Sequence, residues 1–334
     1  MNGLDERIAR VPTGPELPSS AAARAGSAGL AGGPEVATVR PAVVAGPVSF
    51  GVKLRAYFQL LKFRLSLTVA FSSAIGYALG GRGELDWGRA ALVMLGGLLV
   101  TGSANIINQI HERDLDKLMK RTANRPLPLG LVSPAEAWAF CVVLGLSGLA
   151  LLAYYFNPLT AALSLLSLIL YGFVYTPLKT ISPVCVAVGA VPGGLPPLIG
   201  WVAATGYIGV EAWILFGIQF MWQFPHFWAI AWVADEDYKA AGFKMLPSPG
   251  NRDLRTAFQI MTYTVLLIPL SLLPLEFGIA GKVSAMVAVL AGVGFLILTL
   301  QLMRTQSRKA ALGIMFGSFL YLPIVQIALV LDKL

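Results

Sequence analysis

Apolar runs of 18 or more residues recur through the C-terminal four-fifths of this 334-residue chain. Each is long enough to cross a bilayer as a helix of about 20 residues. In hydrocarbon every backbone N–H and C=O must find its partner within the protein, so only helices and closed barrels can span. The runs do not alternate between apolar and polar, which excludes a barrel and predicts an all-α polytopic membrane protein. Composition agrees. The chain is 56% hydrophobic and only 13% charged, against about 25% charged in a soluble domain.

Nine membrane helices are expected, at roughly 56–80, 90–111, 135–155, 158–176, 183–203, 212–234, 256–276, 281–303 and 311–331. Pro158, Pro177, Pro183 and Pro192 are expected near helix ends or breaks. The segments between spans divide sharply by charge. The stretch before the first helix and those after the second, fourth, sixth and eighth hold 17 Lys and Arg, among them Lys53, Lys62, Arg64, Lys117, Arg252 and Lys309. The opposite set holds four: Arg82, Arg89, Lys282 and Lys333. Basic residues stay inside. The N-terminus and the first set are therefore expected in the cytoplasm and the C-terminus outside.

Residues 1–50 are rich in Ala, Gly and Pro, and the segment Ser19-Ser-Ala-Ala-Ala-Arg-Ala-Gly-Ser-Ala-Gly lacks large apolar side chains, so a disordered tail is expected. Residues 51–334 then form one membrane domain. No apolar h-region marks a secretory signal in the tail, and Asp5, Glu6, Glu16 and Glu35 argue against a transit peptide. Cys141 and Cys185 fall within apolar runs, not at metal-ligand spacing, and are expected to be small core residues. The formal charge of +8 fits cytoplasmic loops, and no aromatic–basic interleaving suggests nucleic acid.

Two cytoplasmic loops, 112–134 and 235–255, are long and polar. At the first, Asn108, Glu112 and Asp116 stand four residues apart. Eight residues of helix rise roughly 12 Å, and each step of four turns only about 40°, so the three would line one stripe near the membrane surface. An amide oxygen and two carboxylates suit a hard cation such as Mg²⁺, which leaves its other positions to phosphate and water. Lys120, Arg121 and Arg125 follow at once and can neutralise a diphosphate. A helix end frayed into a charged loop is the plainer alternative. Buried acids near an apolar run, however, cost free energy unless paired or metal-bound.

The second loop carries Asp235-Glu236-Asp237, three acids that repel unless a cation neutralises them, then Gly242, which permits a turn, and Lys244. It reads either as a solvated acidic cap or as the other half of a metal–diphosphate site. Tyr175 and Lys179 end the fourth span on the same side. Lys179 serves either as a phosphate contact or as a helix anchor. His226, in Trp222-Gln-Phe-Pro-His226-Phe-Trp228, falls mid-helix beside a proline. It is either a satisfied core histidine or one that touches a ligand. The surrounding aromatics, Trp222 included, suit a flat apolar ligand or a carbocation as well as a core.

The pattern Asn108-x₃-Glu112-x₃-Asp116 followed by Met119-Lys-Arg-Thr-Ala-Asn-Arg-Pro-Leu-Pro128 resembles the UbiA superfamily of intramembrane prenyltransferases. Within it, Trp222–Trp228, Asp237-Tyr-Lys-Ala-Ala-Gly-Phe-Lys-Met-Leu-Pro247 and Gly193-Gly-Leu-Pro-Pro-Leu-Ile-Gly-Trp201 resemble the haem-farnesylating branch. The resemblance covers about residues 55–330. It implies a nine-helix bundle around a central cavity capped by the two polar loops. It also implies Mg²⁺-assisted transfer of farnesyl from farnesyl diphosphate to a vinyl group of haem B. By motif, Asn108, Glu112 and Asp116 would hold one metal, and Asp237, together with Asp235, another. Lys120, Arg121, Arg125, Lys179 and Lys244 would hold diphosphate, and His226 would face the haem. A haem A synthase or oxidase assembly factor would be a partner, in a bacterial plasma membrane. The chain departs from the superfamily pattern twice. Glu112 stands where Asp is common, and Asp235-Glu236-Asp237 replaces Asp-x₃-Asp, which leaves the ligand among these acids open. Two competing readings are an ion-coupled transporter, disfavoured because the charges sit at helix ends and not at mid-bilayer, and a prenyltransferase for a quinone precursor or chlorophyllide.

Overall fold

The computed structural model describes residues 49–81, 83–247 and 251–334, all within one compact unit, Thr38–Leu334. The expected tail up to residue 48, and Arg82 of the sparsely charged loops, lie outside the described residues. Among the described residues the fold is helical throughout, with a single isolated bridge between Ala280 and Lys333.

Seven segments are long and apolar enough to cross a membrane. They are α3 (Trp87–His111), α5 (Pro134–Tyr155), α6 (Pro158–Ile169) continued to Leu178, α8 (Cys185–Thr205), α11 (Leu254–Leu270) continued to Glu276, α13 (Lys282–Thr305) and α14 (Arg308–Leu331). The first and sixth expected spans do form helices, α2 (Phe63–Gly80) and α9 (Val210–Val233), but fall short in apolarity. In these two helices polar residues, several of them buried, lower the mean hydropathy. Ser66, Ser72 and Ser73 on α2, and Gln219, Gln223 and His226 on α9, are all buried.

The first span also starts later than expected. A separate helix, α1 (Phe50–Leu60), precedes it, and Lys62 breaks the chain between them at φ +46°, a left-handed conformation uncommon for a residue with a side chain. Ser66 donates to the Leu61 carbonyl at 2.7 Å and so satisfies the kinked backbone. The fourth span departs from regular α geometry as well. Leu170–Tyr175 form a π-turn, and α7 (Thr176–Leu178) follows.

Helix α2 packs on α3 and α8; α8 packs on α9 and α6; α9 packs on α11 and α14; and α14 returns to touch α2. Between helices in lipid the drive is close packing of small residues, not exclusion of water. At the α2–α8 crossing a Cβ on Gly76 would overlap the Pro197 carbonyl, and one on Gly200 would overlap that of Ser73. The two backbones touch because these positions carry no side chain. Outward, Val283, Met286, Leu290, Val293 and Ile297 of α13 are exposed at helical spacing, a stripe suited to lipid.

Three prolines, Pro192, Pro196 and Pro197, lie inside α8 without ending it, although Pro192 was expected at an end or break. Each proline leaves the carbonyl four residues earlier unbonded. Ser167 Oγ of α6 donates to Pro192 O at 3.3 Å, and Gln219 Nε2 of α9 donates to Gly193 O at 2.7 Å. These are the carbonyls freed by Pro196 and Pro197. Neighbouring helices therefore supply what the prolines remove.

Candidate active site

The first acidic stripe forms as its spacing predicts, across a small discontinuity. Helix α3 ends at His111 and Glu112 caps it. A further turn, α4 (Arg113–Asp116), continues in line because Glu112 N–H reaches Asn108 O at 3.0 Å and Asp116 N–H reaches Glu112 O at 2.7 Å. Asn108, Glu112 and Asp116 are 2, 4 and 0% exposed, so all three point inward. Asp114, off the stripe, faces out and pairs with Arg113 and Lys117. These two cations hold its carboxyl down at about 2.

Each stripe residue meets a cation. Lys62 Nζ donates to Asn108 Oδ1 at 3.2 Å, Lys179 Nζ to Glu112 Oε1 at 2.7 Å, and Arg125 Nη1 to both carboxylate oxygens of Asp116 at 2.9 and 2.7 Å. Asn108 in turn donates to Thr176 Oγ1 at 3.2 Å, just beyond the π-turn. Burial opposes ionisation of Glu112, but Lys179 outweighs it and the carboxyl lies below its ordinary value. Burial likewise opposes the Lys179 charge, and Glu112 outweighs it in the other direction. The pair is ionised. Lys62 hydrogen-bonds no carboxylate, and burial, with Arg125 nearby, outweighs Glu112 and Asp116 and pushes its ammonium down to about 7. Lys179 also lies over the Tyr175 ring at 4.5 Å.

The second loop is drawn against the first. Lys120 donates its backbone N–H to Asp237 Oδ1 at 3.2 Å, and Lys244 donates its own to Lys179 O at 2.7 Å. Gly242, at φ +72°, makes the turn between α10 (Asp235–Ala240) and Lys244. The three consecutive acids part company. Asp235 is buried and ion-paired to Lys239 and Arg252 at 3.0 and 3.1 Å, Glu236 is exposed, and Asp237 is half-buried. The side chains of Lys120, Arg121 and Lys244 are exposed at this face. Among the described residues no three His, Cys, Asp or Glu side chains converge tightly enough to hold a metal unaided. The donor set nevertheless fits a hard divalent cation: two carboxylates and one amide oxygen on one buried stripe, with the remaining ligands left to phosphate oxygens or water.

Beneath the stripe lies a cavity of about 420 Å³. Asn105, one turn before Asn108, and Tyr171 of the π-turn line its wall, and Arg64 lies at its edge. From α9 come Gln219, Trp222, Gln223, His226 and Phe227. Trp222 stacks on the His226 ring at 4.5 Å and donates to Ser318 O at 2.9 Å. His111, expected away from the stripe, is exposed against Gly172 O and the rings of Trp138 and Phe173. Lys62 and Thr176 complete the polar site, and sequence reasoning passed over both. Lys62 counted only as a basic loop residue, and its one available signal was its place at the mouth of an apolar run.

Buried acids met by cations one turn from an apolar, aromatic-walled cavity fit an intramembrane enzyme for a phosphorylated lipid-like substrate. Residues 69–322 match the UbiA prenyltransferase family, and the chain belongs to that family. It is 55% identical over 282 residues to the protoheme IX farnesyltransferase of Cytophaga hutchinsonii, covering 84% of this chain and 99% of that one. It is 38% identical to the protein of the same name from Solibacter usitatus, covering 84% and 99%. Among solved structures, the fold is similar to digeranylgeranylglyceryl phosphate synthase, with TM-score 0.70 at 21% identity over 84% of this chain and 98% of that one. It is also similar to a UbiA homologue from Archaeoglobus fulgidus bound to GPP and Mg²⁺, with TM-score 0.62 at 19% identity over 82% and 99%.

Proposed function

We propose that this protein transfers the farnesyl group of farnesyl diphosphate to a vinyl group of haem B (protohaem IX), giving haem O and diphosphate for haem–copper oxidase assembly. The observation that carries the proposal is the buried Asn108–Glu112–Asp116 stripe, with its cations, set against an aromatic-lined cavity. The end-to-end similarity to protoheme IX farnesyltransferases supports it.

Asn108, Glu112 and Asp116 would hold one divalent cation and Asp237 a second. Asp235, already paired with Lys239 and Arg252, is better suited to tying the loop down. Mg²⁺ in such a site stabilises negative charge on the departing diphosphate. Lys179 and Arg125 orient the carboxylates and add positive charge where the leaving group develops its own. Lys120, Arg121 and Lys244 are exposed on the covering loops, free to reach diphosphate oxygens. The apolar cavity limits water around the allylic cation, and the aromatic rings of Tyr171, Trp222 and Phe227 that line it stabilise positive charge. The cytoplasmic excess of Lys and Arg supports a plasma-membrane protein with N-terminus and both loops inside and C-terminus outside. An enzyme that consumes haem O, such as a haem A synthase, would be its partner.

The test is direct. Purified protein is incubated with haem B, farnesyl diphosphate and Mg²⁺, and the pigment is weighed by mass spectrometry. A pigment heavier by one farnesyl group and one hydroxyl supports the reading. Unmodified haem under conditions where a quinone precursor is prenylated would overturn it.

A further inference from the structure

Gln223 and His226 lie three residues apart on α9, and both line the cavity. They are 5 and 8% exposed. His226 Nδ1 lies 2.8 Å from Ser318 Oγ. The Ser318 hydroxyl has one proton, and the Met315 carbonyl, which can only accept, takes it at 2.6 Å. Ser318 therefore accepts from His226, and the proton of the neutral imidazole sits on Nδ1. The Nε2 lone pair is left without a partner among the described residues, and it is not sealed within the packing. Trp222 stacked on one face and Phe319 edge-on at 5.0 Å hold the ring. The Gln223 amide likewise has no hydrogen bond among the described residues and is not sealed. Other buried polar groups of the wall are already bonded: Gln219 to Gly193 O and Gln326, Ser72 to Gln326, and Asn105 to Ser66. Two unpartnered polar groups, less than a helical turn apart in an apolar chamber, suit one small polar guest. A buried water needs two or more such partners.

We propose that Gln223 and His226 hold the water molecule that ends the reaction, with His226 Nε2 as the base that takes its proton. This rests on the farnesyl-to-haem reading above. The vinyl π electrons form the bond to farnesyl C1 as the C1–O bond to diphosphate breaks. Positive charge is left on the vinyl carbon next to the porphyrin. The water oxygen bonds to that carbon, and the water's proton goes to Nε2 and later to solvent. Haem B, farnesyl diphosphate and water thus give a hydroxylated product, diphosphate and one proton, with no change in the iron. Without a held water and a base, the same cation loses a neighbouring proton and gives an alkene lighter by one water. Ser318 is the positioning residue that aims the Nε2 lone pair.

The experiment uses full-length protein with haem B, farnesyl diphosphate and Mg²⁺ in heavy-oxygen water, and reads the ratio of hydroxylated to alkene product by mass spectrometry. Wild type gives hydroxylated product carrying the heavy oxygen. His226→Gln lowers the ratio about a hundredfold, the lower end of what a general base contributes. Gln223→Leu lowers it about tenfold, roughly one hydrogen bond's effect. Ser318→Ala removes a single hydroxyl and shifts the ratio the same way, which keeps the test decisive if His226→Gln does not fold. An unchanged ratio in the folded variants, or equal loss of both products, overturns the proposal. Absence of any prenylated porphyrin from wild type would instead overturn the functional reading.

Discussion

Neutralising one member of the Glu112–Lys179 pair should destabilise the protein far more than neutralising both. The two charges lie 2.7 Å apart with side chains 6 and 10% exposed. Removing one partner of a buried pair leaves the other uncompensated, at a cost of about 3–5 kcal/mol. Here Glu112→Gln strands Lys179, which keeps the Tyr175 face at 4.5 Å, so about 2–3 kcal/mol is expected after that partial compensation. Lys179→Met leaves the Glu112 carboxylate without its hydrogen-bonded partner and with only the weaker pull of Lys62 and Arg125, and about 3–4 kcal/mol is expected. The double variant buries a neutral amide beside a thioether and should lose only about 1–2 kcal/mol, a coupling of roughly 3–6 kcal/mol. At about 2–4 °C per kcal/mol, the single variants should unfold roughly 4–16 °C earlier and the double variant about 2–8 °C earlier, well short of the summed single losses. The assay is thermal unfolding of the four proteins in one detergent without Mg²⁺ or substrate. Additive losses would refute the argument that these groups form a buried ion pair. All three variants should lose turnover, so a stable but inactive double variant separates the pair's structural role from its chemical one.

Asp116→Asn keeps the shape and one acceptor for Arg125 but removes the charge proposed to hold the metal. Turnover should fall by about a hundredfold or more while the size-exclusion profile stays unchanged. A wild-type rate in detergent would count against the metal role. Chelation of divalent ions should abolish turnover, and Mg²⁺ should restore it; activity persisting in excess chelator would contradict the assigned donor set. Gly200→Val places a side chain on the Ser73 carbonyl and should prevent α2 and α8 from closing, giving aggregated protein on chromatography. Gly51→Ala, with open space around it, should be silent.

Much of this site is written locally. Four-residue spacing alone brought Asn108, Glu112 and Asp116 to one buried face, because consecutive turns of one helix settle where they point. The charge contrast between loops marked 112–134 and 235–255 as the functional side, and the structure ties them through Lys120 and Asp237. The break at Lys62 was not legible, because an apolar run looks continuous whether or not one residue adopts a left-handed conformation. Nor could three neighbouring acids be told apart. Asp235 is separated from Asp237 by partners, Arg252 and Lys120, that other parts of the chain bring in.

The sequence by itself determined that the chain is a helical membrane protein, roughly where most of its spans run, and that Asn108, Glu112 and Asp116 share one inward face, since hydrocarbon favours helices and helical periodicity orients side chains. Only the tertiary structure decided which cation meets which acid, as Lys179 meets Glu112 across 67 positions. It alone decided that the carbonyls freed by Pro196 and Pro197 are claimed by α6 and α9, and that His226 lines a cavity. Such pairings depend on how helices cross, and the crossings are set by close contacts such as Gly76 on Pro197 that no local pattern records.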